Sequence, residues 1–316
     1  MAGLEEAMLL SQIDAANHIV LIVHQNPDAD SLGGACAFYS HLLRGDKKVT
    51  LFCASKGVDP NLAFLPWFDK ITDRFPQGAD LMISFDCANR DRLGCEASLP
   101  LINIDHHRSN DLFGTINLVN TAAISTTELL YDFFIANDIK INGKMALSLY
   151  AGLLDDSKCF SSAACSSKVF ALAHDLIKLG ADHAVCVEWM YRRRSLASLR
   201  LRAILLKEMQ LHADGALALF EVTTRHLEQS GATLYECKQV LEEALELATV
   251  RAALMQIEHP QGEVRISLQT DGTVDASSIM ALSGGGGHIN RAGTRIERSD
   301  KTVLDEIIQR IKKELM

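Results

Sequence analysis

The feature that most constrains the fold is a series of short apolar runs in the first half of the chain, separated by segments with helical patterning. The runs are continuous and do not alternate between apolar and polar residues, which is typical of strands buried on both faces. Such strands form parallel sheets that helices cover on each side. We therefore predict an α/β fold with strands at 18–23, 49–53, 80–86, 101–105 and 115–119, and helices at 31–44, 125–138 and 143–154.

Local signals support the helix starts and the division into domains. Ser31 is placed to open the first helix, and Ser125 with Glu128 has the Ser-x-x-Glu pattern of a capping box. Residues 163–212 are helical in pattern, after which strand-like runs return at 216–222, 250–258 and 263–269 around a helical stretch at 233–248. We predict a parallel-sheet domain over 1–185, a helical connector over 186–212 and a smaller α/β domain over 213–316.

The charge balance excludes one class of partner. The formal net charge is −9, whereas a protein that grips long nucleic acid by its phosphates needs a basic face. The N-terminus lacks the basic start of a secretory signal, and no apolar run approaches the roughly 18 residues of a membrane helix. The eight cysteines have no CxxC spacing. We therefore expect a cytoplasmic protein that does not bind a membrane.

Acids and histidines collect where three of the predicted strands end. The carboxyl ends of parallel strands meet at one edge of a sheet, where ligands bind. Carboxylate and imidazole groups without thiolates suit manganese, magnesium or iron, and two such ions about 3.5–4 Å apart can clamp a displacement at phosphorus. The residues are His24, Asp28 and Asp30 after the first strand, Asp86 at the end of the third, and Asp105, His106 and His107 at the end of the fourth.

Each of these acids alone also has an ordinary interpretation. Asp28, Asp30 or Ser31 could cap the helix after the first strand. Asp155 and Asp156 follow a further apolar run, so that one could complete a metal site while the other lies in a solvated turn. Periodicity does not choose between those two, but the coincidence of three strand ends favours metal binding for the set as a whole.

Four glycines at 284–287 allow two interpretations. Such a tract is commonly a flexible linker, but consecutive amides without side chains also form a nest for anions. The tract lies between a helix-like and a strand-like segment inside the second domain, and His288 follows it directly. This position argues against a linker between domains, and His288 could bond a phosphate or a nucleotide end beside such a nest.

The order and separation of these motifs resemble the DHH phosphoesterase superfamily. The matching residues are His24-x-x-Pro27-Asp28-x-Asp30-Ser31-x-Gly33, Asp86, the triplet Asp105-His106-His107, and Gly152 with Asp156. The glycine tract with His288, Ala292 and Gly293 resembles the DHH-associated C-terminal domain. The two-domain length is most similar to the NrnA-type oligoribonuclease and 3′-phosphoadenosine 5′-phosphate phosphatase group.

The resemblance implies roles for individual residues. His107 would face the substrate phosphate, Asp86 would bridge two ions, and Asp105 would either orient a histidine or close its loop. Two manganese-type ions, with magnesium as the alternative, would be held by His24, Asp28 and Asp86 and by Asp30, Asp86, His106 and Asp156. The expected substrate contacts are Gly285, Gly286, Gly287, His288 and Arg291.

Two positions depart from the family pattern. Lys158 stands where a glycine is common, which would place a cation near the site. Gln269 lies near the position of an arginine that often precedes the glycine tract, so that Arg265 or Arg291 would have to replace it.

Taken with the resemblance, the sequence predicts a metal-dependent phosphohydrolase for short oligoribonucleotides or 3′,5′-bisphosphonucleosides. A phosphodiesterase for cyclic or linear dinucleotides is the alternative within the superfamily. A non-catalytic nucleotide-binding regulator ranks low, because such a protein would be expected to have lost one or more of the acids. The sequence is compatible with a homodimer and gives no direct evidence for one.

Overall fold

The computed structural model describes residues 2–237, 239–258, 262–297 and 301–315. The chain divides into two compact units, of which the first ends at Arg193 and the second begins at Arg194. This division falls inside the segment 186–212, where the sequence predicts a connector.

In the described residues of the first unit, six parallel strands form one sheet. The helices are α1 (Ala2–Ala15), α2 (Ala29–Leu42), α3 (Thr126–Ala136), α4 (Gly143–Asp156), α5 (Ser167–Lys178) and α6 (His183–Val187). The strands are β1 (His18–Val23), β2 (Lys48–Cys53), β3 (Ile71–Thr72), β4 (Leu81–Phe85), β5 (Leu101–Asp105) and β6 (Ile116–Val119). Short 3-10 turns lie at Pro60–Leu62, Phe68–Lys70 and Arg90–Leu93, and a π-helical turn lies at Glu188–Arg192.

The strand order of this sheet creates a crevice at a defined place. The order is β3-β2-β1-β4-β5-β6, so the chain runs outward in one direction from β1 and in the other from β4. Loops that leave the carboxyl ends of two such neighbouring strands diverge and open a space between them. The continuous apolar runs of β1 and β4 are buried along their whole length, as their pattern predicts.

Glycines allow the two helices beside this crevice to approach closely. Gly33 lies in the interior of α2, and a Cβ atom there would lie 2.3 Å from the backbone oxygen of Ser148 on α4. Gly34 faces Leu130 of α3 and Phe85 at the end of β4. Because Gly33 has no side chain, α4 packs directly against α2, and the end of α4 reaches the start of α2.

The predicted elements of the first unit are confirmed, with two corrections at helix ends. Asp28 rather than Ser31 caps α2, because its Oδ1 accepts the Ser31 N–H at 3.1 Å and the helix begins at Ala29. Ser125 does cap α3 by accepting the Glu128 N–H, but the Glu128 carboxylate accepts the N–H of Ile124 and thus makes only part of the predicted box.

The described part of the second unit forms a mixed sheet with helices on both faces. Its strand order is β11-β12-β10-β9-β8-β7, in which β8 and β9 are parallel and the other pairs are antiparallel. The elements are α7 (Leu196–Glu208), β7 (Gln210–His212), β8 (Leu217–Val222), α8 (Thr224–Ser230), α9 (Gln239–Ala244), β9 (Ala252–Glu258), β10 (Glu263–Thr270), α10 (Ala276–Ala281), β11 (Gly286–His288), β12 (Arg291–Glu297) and α11 (Lys301–Leu315).

Two helix predictions for this unit are wrong in part. The helical pattern predicted to reach residue 212 ends at Glu208, and residues 210–212 form the edge strand β7. The helical stretch predicted at 233–248 contains a 3-10 turn at Leu234–Cys237 and the short α9. Among the described helices, none has the length and apolar character needed to span a bilayer.

Candidate metal centre and active site

Six of the sequence-predicted residues converge at the carboxyl edge of the first sheet. His24 follows β1, Asp86 follows β4 and His106 follows β5, and these three strands are neighbours. The start of α2 contributes Asp28 and Asp30. The last residue of α4, Asp156, completes the group.

The first cluster contains His24, Asp28 and Asp86, whose ligand atoms lie within 4.8 Å of one another. His24 Nε2 is 3.8 Å from Asp28 Oδ1 and 3.7 Å from Asp86 Oδ2. Asp28 therefore caps α2 and also faces this cluster, so its structural role does not exclude a role as a ligand.

The second cluster contains Asp30, His106 and Asp156, again with ligand atoms within 4.8 Å. His106 Nε2 lies 3.2 Å from Asp156 Oδ2 and 3.4 Å from Asp86 Oδ1. Asp86 thus turns one oxygen toward each cluster, which is the geometry that a bridging carboxylate requires.

The hydrogen bonds of the two histidines fit metal binding. His24 Nδ1 lies 2.9 Å from the backbone oxygen of Gln25, and His106 Nδ1 lies 3.2 Å from that of Ala123. A carbonyl oxygen only accepts, so each Nδ1 carries a hydrogen and Nε2 is the nitrogen that turns to the acids. Fixing the tautomer of a ligating histidine through a backbone carbonyl is usual at metal sites. Asp156 Oδ2 is buried and, within the described residues, has no hydrogen bond of normal geometry.

Burial and mutual charge shift the pKa values of this group. Burial disfavours the charged form of His24, but Asp28 and Asp86 outweigh it and raise the pKa of His24 to about 9. Burial and the charge of Asp86 raise the pKa of Asp30 to about 6, and burial with the charge of Asp30 raises the pKa of Asp156 well above its usual range. Asp30 and Asp156 therefore favour their protonated forms unless a cation takes the place of the proton.

Asp86 is held in an uncommon backbone conformation. Its φ is +55°, in the left-handed region that costs a non-glycine residue roughly 1 kcal/mol. Its N–H still donates to the Ile104 oxygen at 3.0 Å, as though the strand continued. Burial opposes ionisation of its carboxyl, but His107, His106 and His24 hold the pKa of Asp86 well below its ordinary value.

His107 lies beside Asp86, with its Nδ1 3.4 Å from Asp86 Oδ1, and forms a hydrogen-bonded group with Asp105 and Asn110. Its Nδ1 donates to Asp105 Oδ1 at 2.6 Å, and Asn110 Nδ2 donates to Asp105 Oδ2 at 2.5 Å. Asp105 is fully buried. Both roles left open for Asp105 are therefore present, because it orients His107 and holds the loop that continues to Asn110.

The start of α3 contacts the site and is not predicted from the sequence. Asp30 Oδ2 accepts the Thr126 N–H at 2.7 Å, and Asp30 Oδ1 accepts both the N–H and the hydroxyl of Thr127, at 3.0 and 2.7 Å. The Thr126 hydroxyl donates to Asp86 Oδ1 at 3.2 Å. The only available signal was the Ser-Thr-Thr sequence at a helix start, since helix N-termini favour anions.

The structure distinguishes Asp155 from Asp156. Asp155 Oδ2 accepts the N–H of Ala29 at 2.9 Å, so it fixes the start of α2 between Asp28 and Asp30. Asp156 lies in the second cluster, as the resemblance implies.

Arg92 is a second residue that the sequence analysis missed. Its backbone oxygen accepts the Gln25 N–H at 2.8 Å, which places the 3-10 turn at Arg90–Leu93 directly beside the loop after β1. Its positive charge acts to lower the pKa of His24, against the larger effect of Asp28 and Asp86. An arginine beside a metal cluster is suited to a phosphate.

The backbone conformation at Lys158 accounts for a preference for glycine at this position. Lys158, Cys159 and Phe160 have φ values of +49°, +54° and +64°, so the chain makes a left-handed turn directly after α4. Glycine adopts this conformation at little steric cost. Lys158 is exposed and two residues from Asp156.

In the second unit, the glycine tract is part of a hairpin. Gly286–His288 forms β11, in which His288 is opposite Arg291 of β12. The Gly285 N–H donates to the Met280 oxygen at 2.9 Å, and its Cβ would lie 2.4 Å from the Gly293 oxygen. The tract is therefore not a linker, and the Gly285 amide is used within the fold rather than in an open nest.

Gln269 and Arg291 are direct cross-strand partners on β10 and β12. Gln269 is buried, and Arg291 is exposed. Of the two arginines considered as replacements near Gln269, Arg291 is the one opposite it, whereas Arg265 lies opposite Arg295.

A buried group of aspartates and histidines at the switch point of a parallel sheet is suited to a metal-dependent phosphoesterase. Residues 18–153 match the DHH family, N-terminal domain, and residues 218–316 match the DHHA1 domain. The chain belongs to the proteins that combine these two domains.

Two relatives match this chain over most of its length, and one solved structure has a similar fold. The probable bifunctional oligoribonuclease and PAP phosphatase NrnA of Streptococcus mutans is 28% identical over 89% of this chain and 90% of its own length. The bifunctional oligoribonuclease and PAP phosphatase NrnA of Bacillus subtilis is 26% identical over 94% and 96%. The fold is similar to that of an exopolyphosphatase-related protein from Bacteroides fragilis, with a TM-score of 0.88 and 21% identity over 99% of this chain and 98% of the other.

Proposed function

We propose that this protein is a hydrolase that removes nucleotides from short oligoribonucleotides and the 3′-phosphate from 3′,5′-bisphosphonucleosides. The observation that carries the proposal is the pair of clusters joined by Asp86, one with His24 and Asp28 and the other with His106. The activities named for the two NrnA relatives, which match this chain over most of its length, support the choice of substrate.

The donor set suits two divalent cations of the manganese type. His24, Asp28 and Asp86 would hold one, and Asp30, Asp86, His106 and Asp156 would hold the other. Nitrogen and oxygen donors without sulfur favour manganese, with magnesium as the alternative. When bound, such a pair lowers the pKa of water and neutralises charge on the oxygens of a phosphate ester.

His107 acts on the substrate in this proposal. Because Asp105 accepts the Nδ1 hydrogen, Nε2 is the nitrogen that would donate to a phosphate oxygen or to the leaving group. Asp105 fixes the ring orientation and tautomer, as a buried aspartate does for a catalytic histidine. Asn110 holds Asp105 in place from its other oxygen.

Arginines in both units support an anionic substrate. Arg92 lies beside the first cluster. On the second sheet, Arg265 is directly opposite Arg295, and both share a face with Arg291 four pairs further along.

The proposed compartment is the cytoplasm. The cysteines form no disulfide bond in the described residues, and thiols persist in a reducing environment.

A comparison of initial rates tests the proposed function. The full chain with manganese is assayed on an RNA dinucleotide, a 3′,5′-bisphosphonucleoside, a cyclic dinucleotide and a longer single-stranded RNA. We expect the first two to be hydrolysed fastest, and His107→Asn to reduce both rates strongly. His174→Asn, which alters an exposed histidine on α5, is the matched control.

A faster rate on the cyclic dinucleotide would assign the chain to the alternative phosphodiesterase activity. No hydrolysis of any substrate by metal-loaded protein would overturn the proposed function, and nucleotide binding without turnover would favour the regulator.

A further inference from the structure

Thr126 connects two of the proposed ligands through two different groups. Its N–H donates to Asp30 Oδ2 at 2.7 Å, and its hydroxyl donates to Asp86 Oδ1 at 3.2 Å. The residue is fully buried. The two acids are 96 and 40 residues away in the sequence, so this first residue of α3 joins parts of the site that come from α2 and β4.

Both of these hydrogen bonds end on the same side of the site. Asp86 Oδ1 faces His106, at 3.4 Å, whereas Asp86 Oδ2 faces His24, at 3.7 Å. Asp30 also belongs to the cluster of His106. Thr126 therefore contacts the oxygens that face the second cluster.

The hydrogen bonds also determine which lone pairs remain available. Asp30 Oδ1 accepts two hydrogen bonds from Thr127, while Oδ2 accepts one from Thr126. A carboxylate oxygen has two lone pairs, so Oδ2 retains one for a cation. The Thr126 hydroxyl in the same way uses one lone pair of Asp86 Oδ1 and leaves the other facing His106.

We propose that Thr126 is a positioning residue that selectively orders the ion site formed by Asp30, Asp86, His106 and Asp156. The proposal rests on the metal-dependent function proposed above. The hydroxyl is not needed to start α3, because Ser125 already accepts the Glu128 N–H at 3.0 Å. It is therefore available for a role toward Asp86.

The test compares Thr126→Val with Thr126→Ser in the full chain. Valine keeps the shape and the backbone N–H but removes the hydroxyl, and serine restores the hydroxyl. Manganese binding to the metal-stripped protein is followed by calorimetry, and thermal unfolding without metal reports on the fold. Loss of a hydrogen bond to a metal ligand typically reduces affinity by about 10–100-fold.

We expect the valine variant to weaken one of two binding steps by about that factor and to leave the other within roughly twofold, with serine close to the wild type. Thr50→Val is the matched control. It removes the hydroxyl of a threonine on β2 that is hydrogen-bonded to His18 at 2.9 Å, and His18 lies at the end of β1 away from the site. This control should change neither step.

Three results would overturn the proposal. Unchanged binding by Thr126→Val would show that the hydroxyl has no role toward the ion. Equal weakening of both steps would remove the selectivity, and failure of Thr126→Ser to restore binding would assign the effect to packing. If the wild-type protein binds no divalent cation, the proposed function itself fails, which is a distinct outcome.

Discussion

Replacement of Gly152 by alanine is the sharpest test of how α4 positions the site. A Cβ at this position would lie 2.6 Å from Asp30 Oδ1 and 2.5 Å from Thr127 Cγ2. Favourable contacts between carbon and other heavy atoms lie near 3.5–4.0 Å, so either Asp30 or α4 would have to move by about 0.5–1 Å.

We expect Gly152→Ala to reduce the rate strongly while the free energy of unfolding falls only modestly. Overpacking costs about 1–3 kcal/mol, but alanine in a helix interior returns about 1 kcal/mol relative to glycine. The free energy of unfolding should therefore fall by no more than about 2 kcal/mol. A displacement near 1 Å at a catalytic group can reduce the rate by about 100-fold.

Two further glycines provide the comparison. In Gly143→Ala, at the first residue of α4, the nearest atom would be 3.8 Å away, so activity and stability should be retained. In Gly33→Ala, the new Cβ would meet the backbone oxygen of Ser148 at 2.3 Å. A backbone atom cannot rotate away, so this variant should lose more stability than Gly152→Ala.

The measurements are thermal unfolding, manganese binding and the initial rate on an RNA dinucleotide. Wild-type rate and metal affinity in Gly152→Ala would refute the argument that this close approach sets the position of Asp30. A loss in Gly143→Ala as large as that in Gly152→Ala would equally refute it, because the effect would then follow from the helix in general.

Three other predictions follow from the same geometry. Asp86→Asn should abolish both manganese binding steps and turnover, whereas Asp69→Asn, at an exposed acid, should change neither; one surviving tight step would contradict the bridging role. Chelation should lower the midpoint of thermal unfolding by about 5–10 °C, since an ion at 100 times its dissociation constant stabilises by about 2.7 kcal/mol; an unchanged midpoint would contradict it. Alkylation near pH 8 should label the exposed Cys159 before Cys36 and Cys186, because burial raises the pKa values of the latter two to about 12. Mass spectrometry would follow the order of labelling, and the reverse order would contradict the prediction.

The sequence carries enough information to bring together the main residues of the two clusters. The runs at β1, β4 and β5 are apolar throughout because helices cover both faces of the sheet, so their ends are visible in the sequence. Residues at those ends, such as His24, Asp86 and His106, must then meet at one edge. Chain geometry thus predicts the convergence before any coordinate is known.

The supporting contacts are not predictable in the same way. Thr126 and Asp30 are 96 residues apart, and nothing local to either residue indicates the partner. Asp155 likewise resembles a solvated turn residue until α4 packs against α2 and brings it to Ala29. The strand β7 was missed because a three-residue edge strand has no apolar pattern of its own.

The left-handed turn at Lys158, Cys159 and Phe160 has a consequence for how this sequence can vary. Glycine at residue 158 would relieve roughly 1 kcal/mol of steric cost in the folded chain, but it would also increase the freedom of the unfolded chain. The same change would delete a positive charge two residues from Asp156. Glycine would therefore relieve backbone strain at this position but would remove a positive charge near the site. A variant selected only for thermal stability could lose that cation without any sign of it in the unfolding measurement.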